Sequence, residues 1–501
     1  MLLSALLVSS AWPAGAAPAS SVHIFQGRIQ GTAIDGAIIF RGIPFAQPPL
    51  GSWRWRAPRP PLSWSGQRSA SSAAAACMQQ DFGWNAPDAA HDSEDCLYLD
   101  VRTPSLHPRR ALPVMVWVHG GGNRAGSARG VVDSGITRRG VVLVALQYRL
   151  GVFGFLSHPA LTRESAAGAA GNFALLDQIA ALRWVQANIA AFGGDPGNVT
   201  LFGHSSGAED IGLLLVSPLA RGLFTRAIEE SGTPGFGLPP RTLAANEAIG
   251  RQLAAAEAVG DDARGLRALR ARDAASLLAA AAALQAPGLP DQSYLWLQSV
   301  IDGRVIPRQP QALLRAGLAN PAALIVGSNV RELTVPDGRL DAFLRQAFGV
   351  RAERARLLYH FARADAIPPP DALLGSLSEQ LSADVLFKCP AVHLAALRAA
   401  AGQSVWQYQV SDIDPEREFG HAAELPSVLD DQPLGSAGAA PGVSLQAYWV
   451  QFARSGDPNA DALPRWPRFE AQQHNYLDFT AQGPRLRRDL RAAPCALLER
   501  I

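Results

Sequence analysis

An α/β fold, with a large, mostly parallel central sheet flanked by helices, is predicted by three features of the sequence. Short, wholly apolar runs recur through the first half. A run with apolar residues at helical spacing separates two of them. Each strand-like run ends in a glycine-rich or turn-forming segment. Strand, helix and strand in that order, with connections of ordinary length, imply a sheet buried on both faces. A chain of 501 residues that is 48% hydrophobic and 18% charged has the composition of a compact globular protein.

Taken in order, the chain opens with an apolar run from Leu2 to Trp12. Ala14-Gly15-Ala16 and Ala17-Pro18-Ala19 follow, either of which fits an A-x-A cleavage site, so residues 1–19 read as a secretory leader. No later stretch approaches 18 consecutive apolar residues, and no transmembrane anchor is expected. Residues 113–118 (PVMVWV) and 141–146 (VVLVAL) read as buried strands. Residues 172–190 carry Leu175, Ile179, Leu182, Val185 and Ile189 on one helical face, and the GGDP of 193–196 stops that helix. Residues 199–202 (VTLF) form the next strand and 208–215 the next helical run. The Ala-, Leu- and Arg-rich segment 244–284 reads as a pair of helices laid over the sheet. With no internal repeat and no Gly/Ser linker, residues 20–501 are expected to form one domain.

Charge is balanced, 45 basic residues against 43 acidic, for a net +2, which provides no field for a polyanion and makes nucleic acid a poor partner. Lys388 is the single lysine, a bias read as that of a GC-rich genome. Cys77, Cys96, Cys389 and Cys495 suit two bridges in an oxidising compartment, which agrees with a secreted or periplasmic protein. Their spacing matches no tetrahedral metal site, and three pairings are open.

The chemistry centres on Gly203-His204-Ser205-Ser206-Gly207, placed between a strand and a helical run. In a G-x-S-x-G turn the glycines let strand and helix approach, and the serine hydroxyl stands clear at the positive end of the helix. A serine needs a base, and acyl transfer needs donors for the developing oxyanion. His119-Gly120-Gly121-Gly122 ends the first strand and can turn successive N–H groups toward one point, which with Ser206 makes three donors. The base must come from His360, His393, His421 or His474. His421 lies in a polar, glycine-containing loop (FGHAAE, 419–424), whereas His360 and His393 sit in helical runs. The acid is open between Glu332, which follows the strand-like run 323–326, and others such as Asp302.

These residues resemble one family, the type-B carboxylesterases, which include the cholinesterases and bile-salt-activated lipases. The likeness spans nearly the whole mature chain: FRGIPFAQPP (40–49), EDCLYLDV (94–101), YRLGVFGF (148–155), Gly171-Asn172, Asp177-Gln178, FGGDP (192–196), the serine turn, FARSGDPN (452–459) and Trp466-Pro467. It implies an α/β-hydrolase fold with an active-site gorge and a small-molecule ester as substrate, without metal or organic cofactor. It further implies Ser205 as nucleophile, His421 as base, Glu332 as the acid within a G-x-N-x-x-E segment, and Gly121, Gly122 and Ser206 as oxyanion donors. Cys77–Cys96 is similar to the family's first bridge, at the mouth of the gorge, and Cys389–Cys495 resembles a second one found in cholinesterases.

Three departures stand out. His204 occupies the place of the family's usual Glu before the nucleophile, which argues against a quaternary-ammonium substrate. Leu333 replaces a glycine after the acid. Glu209 and Asp210 stand where small neutral residues are usual, and their carboxylates are expected to restore part of the missing charge. Trp84, inside the Cys77–Cys96 loop, reads as a buried or rim tryptophan. Activity is expected to rise with pH near the ordinary histidine value of about 6.5. The alternative function is a non-catalytic adhesion or binding module on the same scaffold, since the family includes such proteins; they usually lack the serine retained here.

Overall fold

The computed structural model describes residues 20–361, 367–411, 420–434 and 444–498, so the expected leader over 1–19 lies outside the described residues. An eleven-stranded sheet runs through the centre. Its strands in chain order are β1 (Thr32–Ile34), β2 (Ala37–Pro44), β3 (Tyr98–Thr103), β4 (Leu112–Val118), β5 (Val142–Leu146), β6 (Gly194–His204), β7 (Arg226–Glu230), β8 (Ala323–Asn329), β9 (Val405–Val410), β10 (Asn475–Thr480) and β11 (Gly483–Arg488). Across the sheet they lie β11-β10-β9-β8-β7-β6-β4-β5-β3-β2-β1. Strands β4 to β10 are mutually parallel, while β1 to β3 at one edge and β11 at the other pair antiparallel.

The apolar runs behave as the pattern requires, because successive residues of a strand enter opposite cores. Val114, Val116 and Val118 of β4 and Val142, Val144 and Leu146 of β5 face one core. Met115 and Trp117, with Leu143 and Ala145, face the other. Helices α1 (Phe173–Asn188) and α2 (Ser206–Val216) cover the first face. On the second, Trp449, Tyr448 and Phe452 of a helix over Leu445–Ser455 meet Trp406, Tyr408, Trp466 and Phe479 edge to face. Truncating one of these buried tryptophans to Ala is expected to cost about 3–5 kcal/mol.

Boundaries shift in instructive ways. Helix α1 ends at Asn188 and tightens into a 3-10 turn over Ile189–Phe192, closed by Gly193 at φ +79°. Strand β6 begins at Gly194, so part of the expected stop signal is strand entry. The segment 244–284 holds three helices instead of the expected pair: α3 (Leu243–Ala256), α4 (Ala263–Ala271) and α5 (Ala274–Ala281). Asp262 accepts from the Gly265 N–H and Asp273 from the Ser276 N–H, and two aspartate caps split what reads as one run. Nor do these helices lie on the sheet; they pack over the short helices Gly151–Phe155 and Pro159–Glu164. Cys77 is bonded to Cys96, and Cys389 to Cys495. On loop-entropy grounds the bridges contribute about 3 and about 5 kcal/mol. Among the described residues no helix is long and apolar enough to cross a membrane.

Candidate active site

Strand β6 ends at His204 and helix α2 begins at Ser206, leaving Ser205 alone at the corner with φ +57° and ψ −126°. A residue with a side chain holds that conformation at a cost of about 1–3 kcal/mol, which the surroundings must impose. They do so by close contact. A Cβ at Gly207 would come 2.1 Å from the Val118 carbonyl oxygen, and one at Gly203 would come 2.5 Å from the same atom. The Ser205 N–H donates to the Glu230 carbonyl at 2.8 Å.

Beside the corner, the chain leaves β4 through His119 and the three glycines. A Cβ on Gly120 would stand 3.0 Å from the Ser205 Cβ, so this loop lies directly against Ser205. Gly121 and Gly122 adopt φ +118° and +67°. Among the described residues no hydrogen bond of the loops and caps takes up the N–H of Gly121, Gly122 or Ser206. Side chains pin the loop from behind. Tyr148 stacks on His119 and donates to its carbonyl at 2.7 Å, and Asn123 donates to Asp210 at 3.1 Å.

Of the four downstream histidines, His421 meets the serine. Its Nε2 accepts from Ser205 Oγ at 2.6 Å and its Nδ1 donates to Glu332 Oε2 at 2.5 Å. The other Glu332 oxygen accepts from the Asn329 N–H and the Ser231 hydroxyl, both at 2.8 Å. The remaining histidines lie elsewhere: His360 in the turn after the helix Ala352–Leu358, His393 on the helix Cys389–Ala400, and His474 just before β10. Asp302 is occupied in its own turn, accepting from the amides of Arg304, Val305 and Ile306.

The His421 ring sits between the rings of Phe387, 4.9 Å away, and His204, 4.5 Å away. Its carbonyl accepts from His204 Nε2 at 2.5 Å and Asn329 Nδ2 at 3.1 Å, so two side chains fix the loop that carries it. Asn329 also donates to Glu424, whose other oxygen lies 3.8 Å from His204 Nε2. Burial lowers the His421 imidazole to about 3, below the expected 6.5, which favours the neutral ring. Burial raises the Glu332 carboxyl to about 8, against the downward pull of Ser231, the Asn329 amide and the Lys388 charge.

One expectation is corrected here. Glu209 does not supply a charge beside the serine, because burial and the neighbouring Asp210 hold its carboxyl well above the ordinary range. Asp210, raised by burial to about 7, is engaged by Gln178 and Asn123 and braces the glycine loop. Trp84, expected as a buried or rim tryptophan, takes the rim position: it is 60% exposed, with its ring tip 3.2 Å from where a Gly121 Cβ would stand.

Sequence reasoning passed over Ser231, Phe387 and Lys388. Ser231 carries a signal only in its φ of +50°, invisible without coordinates. Lys388 stands out as the single lysine among arginines; it is buried, with Nζ donating to the Val330 carbonyl at 2.7 Å. Among the described residues no group of three His, Cys, Asp or Glu side chains is arranged to hold a metal ion.

Comparison with known proteins gives a consistent picture. The sequence pattern of the Carboxylesterase family matches residues 18–342 and 371–498. A fumonisin B1 esterase of Sphingopyxis macrogoltabida is 35% identical over 476 residues, covering 89% of this chain and 84% of its own. A liver carboxylesterase of Sus scrofa is 34% identical, covering 96% of this chain and 92% of its own. A solved PNB esterase superposes with a TM-score of 0.79 at 31% identity, over 96% of this chain and 100% of its own.

Proposed function

The chain belongs to the carboxylesterase family and is a carboxylic ester hydrolase, and on that premise we propose that it works through an acyl-enzyme on Ser205. The observation that carries the proposal is the continuous line from Ser205 Oγ through His421 to Glu332, 2.6 Å and then 2.5 Å.

Ser205 Oγ attacks the ester carbonyl carbon while His421 Nε2 takes its proton. The carbonyl oxygen becomes an oxyanion among the N–H groups of Gly121, Gly122 and Ser206, each of which is worth on the order of 10²–10³ in rate. As the tetrahedral intermediate collapses, the C–O bond to the alcohol breaks and His421 returns the proton to the departing oxygen. Water then gives its proton to His421, attacks the acyl carbon and frees the acid, restoring Ser205. Glu332 holds the imidazole in the tautomer with Nδ1 protonated and stabilises the imidazolium that forms at each attack. His204 and Asn329 act one step removed, fixing the backbone of the His421 loop.

Residues 1–19 serve in this reading as an export leader and 20–501 as one catalytic domain outside the cytoplasm, in keeping with the two disulfides. Mixing enzyme with excess p-nitrophenyl acetate tests the mechanism. The expected result is an acetyl group on the Ser205 peptide during turnover and none in Ser205→Ala. Undiminished turnover by Ser205→Ala would overturn it and would also leave room for a binding module with adventitious activity.

A further inference from the structure

We propose that Arg124 is a specificity-determining residue that binds an anion on the substrate, so that the esters this site prefers carry an ionised carboxylate a few bonds from the scissile carbonyl. The inference rests on the Ser205 acyl-enzyme reading and adds a substrate class to it.

Arg124 lies two residues beyond Gly122, and its Cγ and Nε stand 3.6 Å from where a Gly122 Cβ would be. The side chain therefore runs beside the amides assigned to the oxyanion. Its guanidinium covers the Phe82 ring at 4.1 Å, within the Cys77–Cys96 loop at the rim. The aromatic contact occupies one face of the planar cation and leaves the in-plane N–H groups free, the geometry in which guanidinium meets carboxylate with two parallel bonds. Partial burial disfavours the charge and lowers its pKa, so part of its hydration is already lost.

What marks this arginine out is the absence of a partner. Arg54 and Arg149, near the same disulfide, are bound to Glu94 and Asp177. Among the described residues the Arg124 side chain has neither a hydrogen bond nor an ion pair; only its backbone N–H is taken, by the Gly121 carbonyl at 3.3 Å. Asp291 and Tyr294 act on it through space, but Asp291 makes no ion pair with it, and its Oδ1 accepts from the Ser293 N–H at 2.6 Å. A half-buried, unpaired cation beside an oxyanion loop is costly unless something else completes it, and a substrate carboxylate would do so.

Two matched pairs of esters test this. One places the carboxylate on the acyl side (p-nitrophenyl hydrogen glutarate against p-nitrophenyl valerate), the other on the alcohol side (4-acetoxybenzoate against phenyl acetate). The readout is the ratio of kcat/KM, anionic over neutral, in which any general disturbance of the loop cancels. In at least one pair the ratio should fall about 10- to 100-fold in Arg124→Gln, the worth of a charge-assisted hydrogen bond. The loss should appear mainly in KM, Arg124→Lys should keep part of the ratio, and added salt should lower it in the wild type. Ratios in Arg124→Gln within about twofold of wild type in both pairs would overturn the proposal. Fluorophosphonate labelling of Ser205 in the wild type reads the acyl-enzyme mechanism separately. If Ser205 labels while the ratios stay fixed, only the Arg124 assignment falls; if Ser205 does not label, the mechanism beneath it falls.

Discussion

The two sides of the proposed active site are built by different means. The Ser205 side is made of backbone: a strained serine, glycines that admit carbonyl oxygens within 2.1–2.5 Å of where a Cβ would be, and, among the described residues, loop N–H groups that no other loop or cap takes up. The histidine side is made of side chains. His421 is held by Glu332, His204, Asn329 and the Phe387 ring, which come from segments far apart in the chain. A backbone-built site tolerates no added atom, whereas a side-chain-built site distributes its geometry over several contacts, each of which can be removed at modest loss.

That contrast can be broken or sharpened by substitution. Ser205→Ala should lower kcat by about 10⁴–10⁶-fold with an unchanged circular dichroism spectrum. Glu332→Gln should cost about 10²–10⁴-fold in kcat, because the amide no longer stabilises the imidazolium. On the backbone side, Gly207→Ala should lose both activity and stability. Its methyl must displace the Val118 carbonyl, and a loss of about 2–4 kcal/mol in urea denaturation is expected. His204→Ala and Asn329→Ala each remove one of two donors to the His421 carbonyl, and each should lower kcat about 10-fold with KM little changed. Losses there as large as that of Glu332→Gln would erase the distinction between the two sides.

The smallest effect concerns pH. His421 must be neutral to accept the serine proton, and burial lowers its pKa, so protonation sets in at lower pH and activity survives further into acid. The acid limb of kcat/KM is expected between the buried value of about 3 and the ordinary value of about 6.5. A midpoint above 6.5 would mean that the imidazole is more solvated than its position implies.

The same contrast explains what the sequence disclosed. Glycine spacing is local, so G-x-S-x-G and H-G-G-G mark the Ser205 side within a few residues, and the apolar runs mark the strands that lead to it. The residues around His421 have no common spacing. Residue spacing alone left four histidines and several acids open, and family likeness pointed to His421 and Glu332. Ser231 and Phe387 were unmarked because a hydroxyl or a ring gains meaning only from what it faces. Glu209 and Asp210 misled for a related reason: a carboxylate counts as charge in a sequence, but burial decides whether it is charged in a fold.

The most direct test of the central claim is the rate and site of fluorophosphonate labelling in wild type and His421→Ala. One label per chain is predicted, on the peptide bearing Ser205, with a rate that falls at least about 10³-fold in His421→Ala. A label on another residue, or an equal rate in both proteins, would contradict the claim that the imidazole at 421 activates the hydroxyl at 205.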